Sequence, residues 1–324
     1  MQLTLALPGL LAHSPEALAT IEVLSHVAAR STVGSNPDLD TAIVNALGMD
    51  TAIAPLAALG AGVDVAQRWV IRADPVTMTA GQDAVFLNGR VDDLGADEAA
   101  ALHHLLSTHF ASDGLVFEAP RPDTWFVLSA QPFAIDATPF GAAIGRSLRT
   151  RLPVGPDAAV WRRWFTEVQM LLHEHALSMR PQHPVNALWF AGGGSVSVAS
   201  GHPAIRAFAP DTRDADVVKG LALLAGCVAE PLVPVADIVA SAHPLDRLVV
   251  MLDRVRGAND LDAIRGDLDA AWLALQRGKL DALILVADDG AARAASWHAA
   301  RPTWWQRMHH GRARFAVPPA DDAA

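Results

Sequence analysis

Two short motifs carry residue types that could bind a cation, an anion or a substrate. The acidic pair Asp288 and Asp289 ends an apolar run, and the glycine run 192–194 ends another. An acidic pair at the carboxyl end of a parallel strand could hold a divalent cation, because open α/β sheets bind ligands at that edge. A glycine run lets the backbone approach a ligand closely. Both patterns also occur in ordinary turns, so neither assigns a function by itself.

Histidine and cysteine are present, but their spacing does not predict a zinc site. His173 and His175 enclose Glu174 in a predicted helix. The two histidines of a metalloprotease helix stand four residues apart and share a face, whereas residues two apart point in roughly opposite directions. The single cysteine, Cys227, allows no disulfide and no cysteine-based zinc site within one chain.

An alternation of strands and helices must position these motifs. The apolar run 3–7 ends in Pro8-Gly9 and is followed by a helix start at Ser14, which predicts strand, turn and helix in that order. Further strands are predicted at 187–190, 248–252 and 283–287, and the Gly-Ser-Asn-Pro stretch at 34–37 predicts a loop. This order is typical of an α/β fold.

Composition excludes several classes of protein. The chain has 324 residues, 51% of them hydrophobic, and a formal net charge of −10. This charge argues against nucleic acid and anionic membranes as partners. No stretch of about 20 apolar residues is free of charges and prolines, and the first residues lack a basic leader, so we expect a cytoplasmic protein.

Several segments, taken in order along the chain, resemble one family. The stretch 55–63 reads Pro-Leu-Ala-Ala-Leu-Gly-Ala-Gly-Val and resembles Pro-Leu-Glu-Ala-Leu-Gly-Ala-Gly-Val of the archaeal-type, cofactor-independent phosphoglycerate mutases. The stretches 184–194, 218–220 and 283–290 are similar to further motifs of that family. A bacterial offshoot, the RpfE-type regulatory proteins, resembles the chain in Arg-Ala-Asp-Pro-Val at 72–76, in Glu167 to His173 and in Asn-x-Leu-Trp-x-x-Gly-Gly-Gly at 186–194.

The resemblance implies a fold and a division into domains. It implies an α/β protein with an alkaline-phosphatase-like three-layer core, a mainly parallel sheet and an inserted α+β domain. The core is expected at 1–68 and 183–316, the inserted domain at 69–182, and a flexible tail at 317–324.

The resemblance also implies site residues. In active relatives, two divalent metals activate a serine that carries the phosphoryl group between two oxygens of glycerate. Ser35 is the candidate nucleophile, although the family spacing leads to Leu39. The ligand-binding candidates are Arg72, Asp74, Asn186, Gly192, Gly193, Gly194 and Lys219.

The metal motifs of the family are incomplete in this chain. The first strand ends in Pro8-Gly9 instead of Asp-Gly, Asp253 lacks the histidine that should follow it, and Asp289 replaces another histidine. Ala191 stands where the family has a substrate-binding arginine. The resemblance therefore implies that Asp253, Asp288 and Asp289 are remnants of a lost site, with no metal and no cofactor expected.

Two hypotheses from different classes stay open. In the first, the protein is a regulatory or binding module that recognises a protein partner or a small anion. In the second, it is an active mutase or phosphatase that uses Mn or Zn. Ser35 is then the nucleophile, Arg72 a clamp for phosphate or carboxylate, and His243 or His298 the source of a missing imidazole. The oligomeric state is not predicted.

Overall fold

A computed structural model describes residues 1–65, 67–179, 184–196, 205–290 and 293–301, except for the side chains of 174–179. The chain forms two compact units. The first contains Met1–Asp50 and Ala199–Ala324, and the second contains Thr51–Val198. The tail predicted at 317–324 lies outside the described residues.

The chain contains both strands and helices along its whole described length. The strands are β1 (Gln2–Leu7), β2 (Ser31–Asn36), β3 (Trp69–Ala80), β4 (Val85–Arg90), β5 (Leu115–Arg121), β6 (Thr124–Ser129), β7 (Ala187–Gly194), β8 (Ile205–Ala209), β9 (Glu230–Pro231), β10 (Arg247–Met251), β11 (Ala282–Asp288) and β12 (Ala294–Ala300). The helices are α1 (Pro15–Ala19), α2 (Glu22–Ala28), α3 (Leu39–Ala46), α4 (Ile53–Gly60), α5 (Ala96–Phe110), α6 (Phe140–Ala143), α7 (Ala158–Met179), α8 (Asp216–Leu224), α9 (Val235–Ser241) and α10 (Ala258–Gln276).

The first unit is built on a seven-stranded sheet in the order β2-β12-β11-β1-β10-β8-β9. The five strands from β11 to β9 are parallel, and β12 runs antiparallel to both of its neighbours. The carboxyl ends of β1, β10 and β11 therefore lie side by side at one edge, which we call the carboxyl edge.

Helices cover both faces of this sheet. Leu3, Leu5 and Leu7 alternate along β1, so they share one face, and they pack with buried residues of α10 such as Leu268 and Trp272. On the opposite face, α3 packs across β1, β11 and β12. The unit is a helix–sheet–helix sandwich, and the predicted α/β class with a mainly parallel sheet is confirmed.

The second unit has a separate, antiparallel sheet. Strands β4, β3, β6 and β5 follow one another in that order, and β7 also pairs with β3. Aromatic rings fill its core, with centroids 5.2 to 5.5 Å apart among Trp69, Phe133, Trp161 and Trp164. Edge-to-face contacts at such distances stabilise a core beyond the area that it buries.

Two segments differ from their sequence-based predictions. β7 pairs with β3 from Val76↔Ala187 to Val70↔Gly194, so this strand belongs to the second unit and not to the parallel sheet. The predicted loop at 34–37 is wrong for most of its length, because β2 continues to Asn36. None of the described helices is both long and apolar enough to cross a membrane.

Candidate functional site

The carboxyl edge of the first unit brings three of the predicted segments together. Register places Ala6 of β1 beside Met251 of β10, and Leu7 beside Ala287 of β11. The turns that follow these strands are therefore neighbours, as the sequence predicts for Asp253, Asp288 and Asp289. In open α/β sheets this edge is the usual place for a ligand.

Asp288 is a buried acid at this edge, with 9% of its surface exposed. Its Oδ1 accepts a hydrogen bond from the backbone N–H of Gly9 at 2.6 Å. Burial raises the pKa of Asp288, and the charges of Asp214 and Asp289 act in the same direction. The Gly9 amide and the Arg254 guanidinium oppose that rise without cancelling it. The carboxyl group therefore keeps its proton to a higher pH than an exposed aspartate.

Gly9 is required at the end of β1 for two reasons. Its φ of +79° lies in the left-handed region, and a Cβ there would be 2.5 Å from the carbonyl oxygen of Val255. The N–H of Val255 in turn donates to the carbonyl of Pro8 at 2.8 Å. The turns after β1 and β10 are thus joined backbone to backbone, and Pro8 supplies no carboxylate to this edge.

Arg254 places a guanidinium group among these acids. Its Nε donates to Oδ2 of Asp214 at 2.8 Å. Its Nη1 lies 3.1 Å from the point that a Cβ on Gly290 would occupy, so the group lies beside the turn that follows Asp288. The preceding residue, Asp253, is exposed. A positive side chain therefore occupies the region in which the resemblance implies a metal cation.

The other candidate side chains of this edge also have internal partners. The Oδ1 of Asp289 accepts from the backbone N–H of Arg293 and its Oδ2 from Nε of the same residue, each at 3.1 Å. Lys219, in the first turn of α8, donates from Nζ to Asp211 at 2.6 Å. An incoming metal or anion would have to displace these ion pairs.

The two histidines suggested as substitute ligands lie at the other edge of the sheet. His298 pairs with Ile284, four residues before Asp288 on β11, which corresponds to about 13 Å along a strand. It lines a cavity of about 710 Å³ together with Gln2 and Thr32. His243 precedes the amino end of β10, where its backbone N–H donates to Asp246. Neither histidine can complete a metal site with Asp288.

Ser35 lies at the carboxyl end of the edge strand β2 and is exposed. It pairs with Ala295, and Ala295 with Ala287, so β12 separates the serine from β11. Two strand spacings amount to about 10 Å. Leu39, to which the family spacing leads, is the first residue of α3 and is buried.

The donors at the carboxyl edge do not fit the two divalent metals that the resemblance implies. Asp288 and Asp289 have their oxygens directed at an amide and at an arginine, and Arg254 lies next to them. Within the part of the chain that the structure describes, no group of three or more histidine, cysteine, aspartate or glutamate side chains is arranged to hold a metal ion.

Arg72 and Asp74 lie on β3 in the second unit and bind each other. Oδ1 of Asp74 accepts from Nε of Arg72, and Oδ2 accepts from Nε of Arg90, both at 2.9 Å. Asp74 is 1% exposed. The guanidinium of Arg90 also stacks on the ring of Phe140, with its Cζ 4.0 Å from the ring centroid. This buried triad has a net positive charge.

Asn186 and the glycine run have a structural explanation within the same unit. Asn186 bridges to Met78 of β3. Its Oδ1 accepts from the N–H of Met78 at 2.8 Å, and its Nδ2 donates to the carbonyl oxygen of Met78 at 2.7 Å. A Cβ on Gly193 would be 2.6 Å from the ring of Trp69, and one on Gly194 would be 2.3 Å from Cβ of Ala52. These residues hold β7 against its neighbours.

Sequence reasoning missed the cations that neutralise the acids. Arg254, Arg90 and Arg293 are not part of any motif that predicts chemistry. The available signal was local in the case of Arg254, because this arginine directly follows Asp253 at the position where a metal motif should continue.

Comparison with known proteins defines the fold only. No protein-family model matches the chain, and no curated protein is similar enough in sequence to match. The structure of the PH0037 protein from Pyrococcus horikoshii is 13% identical, with a TM-score of 0.51, and the match covers 92% of this chain and 87% of that one. A cofactor-independent phosphoglycerate mutase from Thermoplasma acidophilum DSM 1728 is 15% identical over 93% of this chain and 90% of its own, with a TM-score of 0.44. At such identity the likeness to the first of these describes a shared fold, not a shared activity.

Proposed function

We propose that this protein is a catalytically degenerate, phosphoglycerate mutase-like protein that works as a regulatory or binding module without a metal. One observation carries the proposal: Arg254 lies among the acids of the carboxyl edge and is paired with Asp214. Two-metal phosphoryl transfer depends on a cluster of anionic ligands around the cations. A fixed guanidinium in that cluster repels a divalent ion and competes for its ligands.

The remaining ligands support the same proposal. Pro8 provides no carboxylate, Asp289 is bound to Arg293, and His243 and His298 lie at the opposite edge. Each missing ligand weakens a cation site, and neither His243 nor His298 could replace one without crossing the length of a strand. A chain with the scaffold but without these ligands is suited to binding rather than catalysis.

A protein surface is a better candidate partner than a small anion. The cations that the sequence suggests for anion binding already have carboxylate partners, namely Asp74 for Arg72 and Asp211 for Lys219. A free anion must break such a pair in order to bind, which reduces its net gain. The role we propose is therefore recognition of another protein, which is compatible with the resemblance of the sequence to the RpfE-type regulatory proteins.

Phosphoryl-transfer assays test this proposal. The full chain is assayed with 3-phosphoglycerate and with a simple aryl phosphate, in excess Mn²⁺ and then Zn²⁺. Ser35→Ala and Asp288→Asn variants serve as matched controls for contaminating activity. We expect the three proteins to be indistinguishable. Turnover by the wild type that either variant abolishes would overturn the proposal and favour an active mutase or phosphatase.

A further inference from the structure

The strand β2 is an edge strand of the seven-stranded sheet, and it lacks the usual features that prevent an edge strand from pairing with another chain. It pairs with β12 without interruption from Ser31↔Ala299 to Asn36↔Ala294. No other strand of the described residues pairs with its outer side. Thr32, Val33 and Ser35 are exposed, and Val33 is exposed to 47% in the middle of the strand.

Soluble proteins normally protect such an edge. They do so with short strands, prolines, charges or bulges, because an open row of N–H and C=O groups invites another strand to pair. The opposite edge of this sheet follows the rule, since β9 is only Glu230–Pro231. The six residues of β2 include no charge and no proline, and its register with β12 has no shift. Such residues only flank the strand: Arg30 precedes it, and Pro37 and Asp38 follow it.

We propose that β2 is an interface strand through which two copies of this chain pair antiparallel. The two sheets would then continue into one another across a two-fold axis at Gly34. An interface of this kind is isologous, so both copies use the same residues. The inference does not depend on the function proposed above, because it concerns the edge of the sheet and not the carboxyl-edge acids.

Charge supports a second copy as the occupant. In an antiparallel pair centred on Gly34, residue 30 lies opposite residue 38 of the other copy. Arg30 precedes β2 and Asp38 follows it, so the pairing brings opposite charges together at both ends. Asp38 also uses its Oδ1 to cap α3, where it accepts from the N–H of Thr41.

The centre of the strand fits the same register. Val33 lies opposite Ser35 of the other copy, so the exposed valine is covered on both sides of the axis. The residue on the axis is Gly34, and two glycines can face each other without a side-chain clash. Gly34 is also close to its inner neighbour, since a Cβ there would be 3.0 Å from Oγ of Ser296.

The mass of the 324-residue chain in solution tests the proposal. Sedimentation velocity at about 0.15 M salt, where long-range repulsion between the acidic chains is screened, should give twice the chain mass of 34.2 kDa. Val33→Lys should give a monomer, because two lysines would face the other strand near the axis. Val116→Lys is the matched control, since Val116 is 43% exposed on the edge strand of the other sheet. It should stay dimeric.

Two further variants keep the test decisive if Val33→Lys does not fold. Arg30→Glu places like charges at both ends and should weaken the dimer at least tenfold. In a Cys227→Ser background, Val33→Cys with Ser35→Cys should form a disulfide-linked dimer, because residues 33 and 35 are opposite each other only in the proposed register. A monomeric wild type, a dimer that is indifferent to both Val33→Lys and Arg30→Glu, or the absence of cross-linking would overturn the proposal.

Discussion

At the residue scale, three acids of the carboxyl edge are bound by donors and cations of the chain itself. Asp288 accepts a hydrogen bond from the backbone N–H of Gly9. Asp214 accepts one from Arg254, and Asp289 accepts one from Arg293. A divalent ion would have to compete with the arginines for the carboxylate oxygens, so each of these ion pairs weakens a metal site at this edge. The identities of the arginines, rather than the number of aspartates, therefore decide what this edge can bind.

The raised pKa of Asp288 predicts a pH dependence of stability. The folded state holds the Asp288 proton at pH values at which the unfolded chain, with a pKa of about 3.9, has lost it. Protonation therefore stabilises the fold at low pH, and this contribution is lost as pH rises through the folded-state pKa. Asp288→Asn keeps the acceptor for Gly9 but removes the titration.

Urea unfolding of both proteins from pH 4 upward checks this expectation. The free energy of unfolding of the wild type should fall relative to that of Asp288→Asn as pH rises, and the difference should level off above the folded-state pKa. If the difference in unfolding free energy is constant with pH, or changes in favour of the wild type, then burial does not determine the pKa of Asp288.

Gly9→Ala should be strongly destabilising. The substitution puts a side chain into a left-handed backbone position and against the carbonyl of Val255. Gly48→Ala is the matched control in the same unit, because Gly48 has φ +65° but nothing within 4 Å of its would-be Cβ. We expect about 1 kcal/mol for the control from backbone strain, and a further loss of about 1–3 kcal/mol at Gly9 from overpacking. Equal losses in a chemical denaturation series would refute the contact argument.

At the scale of elements, β3 and β4 are joined by a buried ion triad. Asp74→Asn removes the negative charge between Arg72 and Arg90 and breaks the ion pair of each with Asp74. Such a loss typically costs about 3–5 kcal/mol. Asp262→Asn breaks an exposed pair with Arg265 on α10 and should cost less than about 1 kcal/mol. Similar values for both variants, measured by urea unfolding, would mean that the triad does not stabilise the sheet.

The sequence predicts three strands of the parallel sheet, β1, β10 and β11, but not β8, β9 or the antiparallel strands β12 and β2. Apolar runs such as 3–7 and 283–287 are buried on both faces, which makes them easy to identify. β12 has four alanines, a residue type that favours helices, and β2 consists largely of residues typical of turns. Both become strands because each pairs with a neighbour, a tertiary effect that no local pattern contains.

The strand order predicts part of the candidate site, whereas the side-chain contacts of the site are not predictable from the sequence. Register alone brings the turns after β1, β10 and β11 together, so the position of Asp253, Asp288 and Asp289 follows from the strand order. The ion pairs of Arg254 and Arg90 depend on side-chain directions across neighbouring strands and turns. Those contacts are invisible in a pattern of residue types.

At the scale of the whole molecule, the account predicts that small anions do not stabilise the protein. A ligand that binds only the native state raises the unfolding free energy according to its concentration and affinity. We expect the Tm to stay constant when inorganic phosphate or 3-phosphoglycerate is added at millimolar concentration. Inorganic sulfate at equal ionic strength is the control for general salt effects. A Tm increase specific to 3-phosphoglycerate would favour a ligand-binding or enzymatic role.

Metal retention by the chain is the decisive measurement of whether the carboxyl edge can still hold a metal. The chain is incubated with excess Mn²⁺ or Zn²⁺, desalted and subjected to elemental analysis beside an Asp253→Asn, Asp288→Asn double variant, which controls for binding by histidines elsewhere. The account predicts that wild type and variant retain the same amount of metal, because Arg254 and the internal hydrogen bonds occupy the acidic edge. Two equivalents in the wild type that are lost in the variant would contradict it.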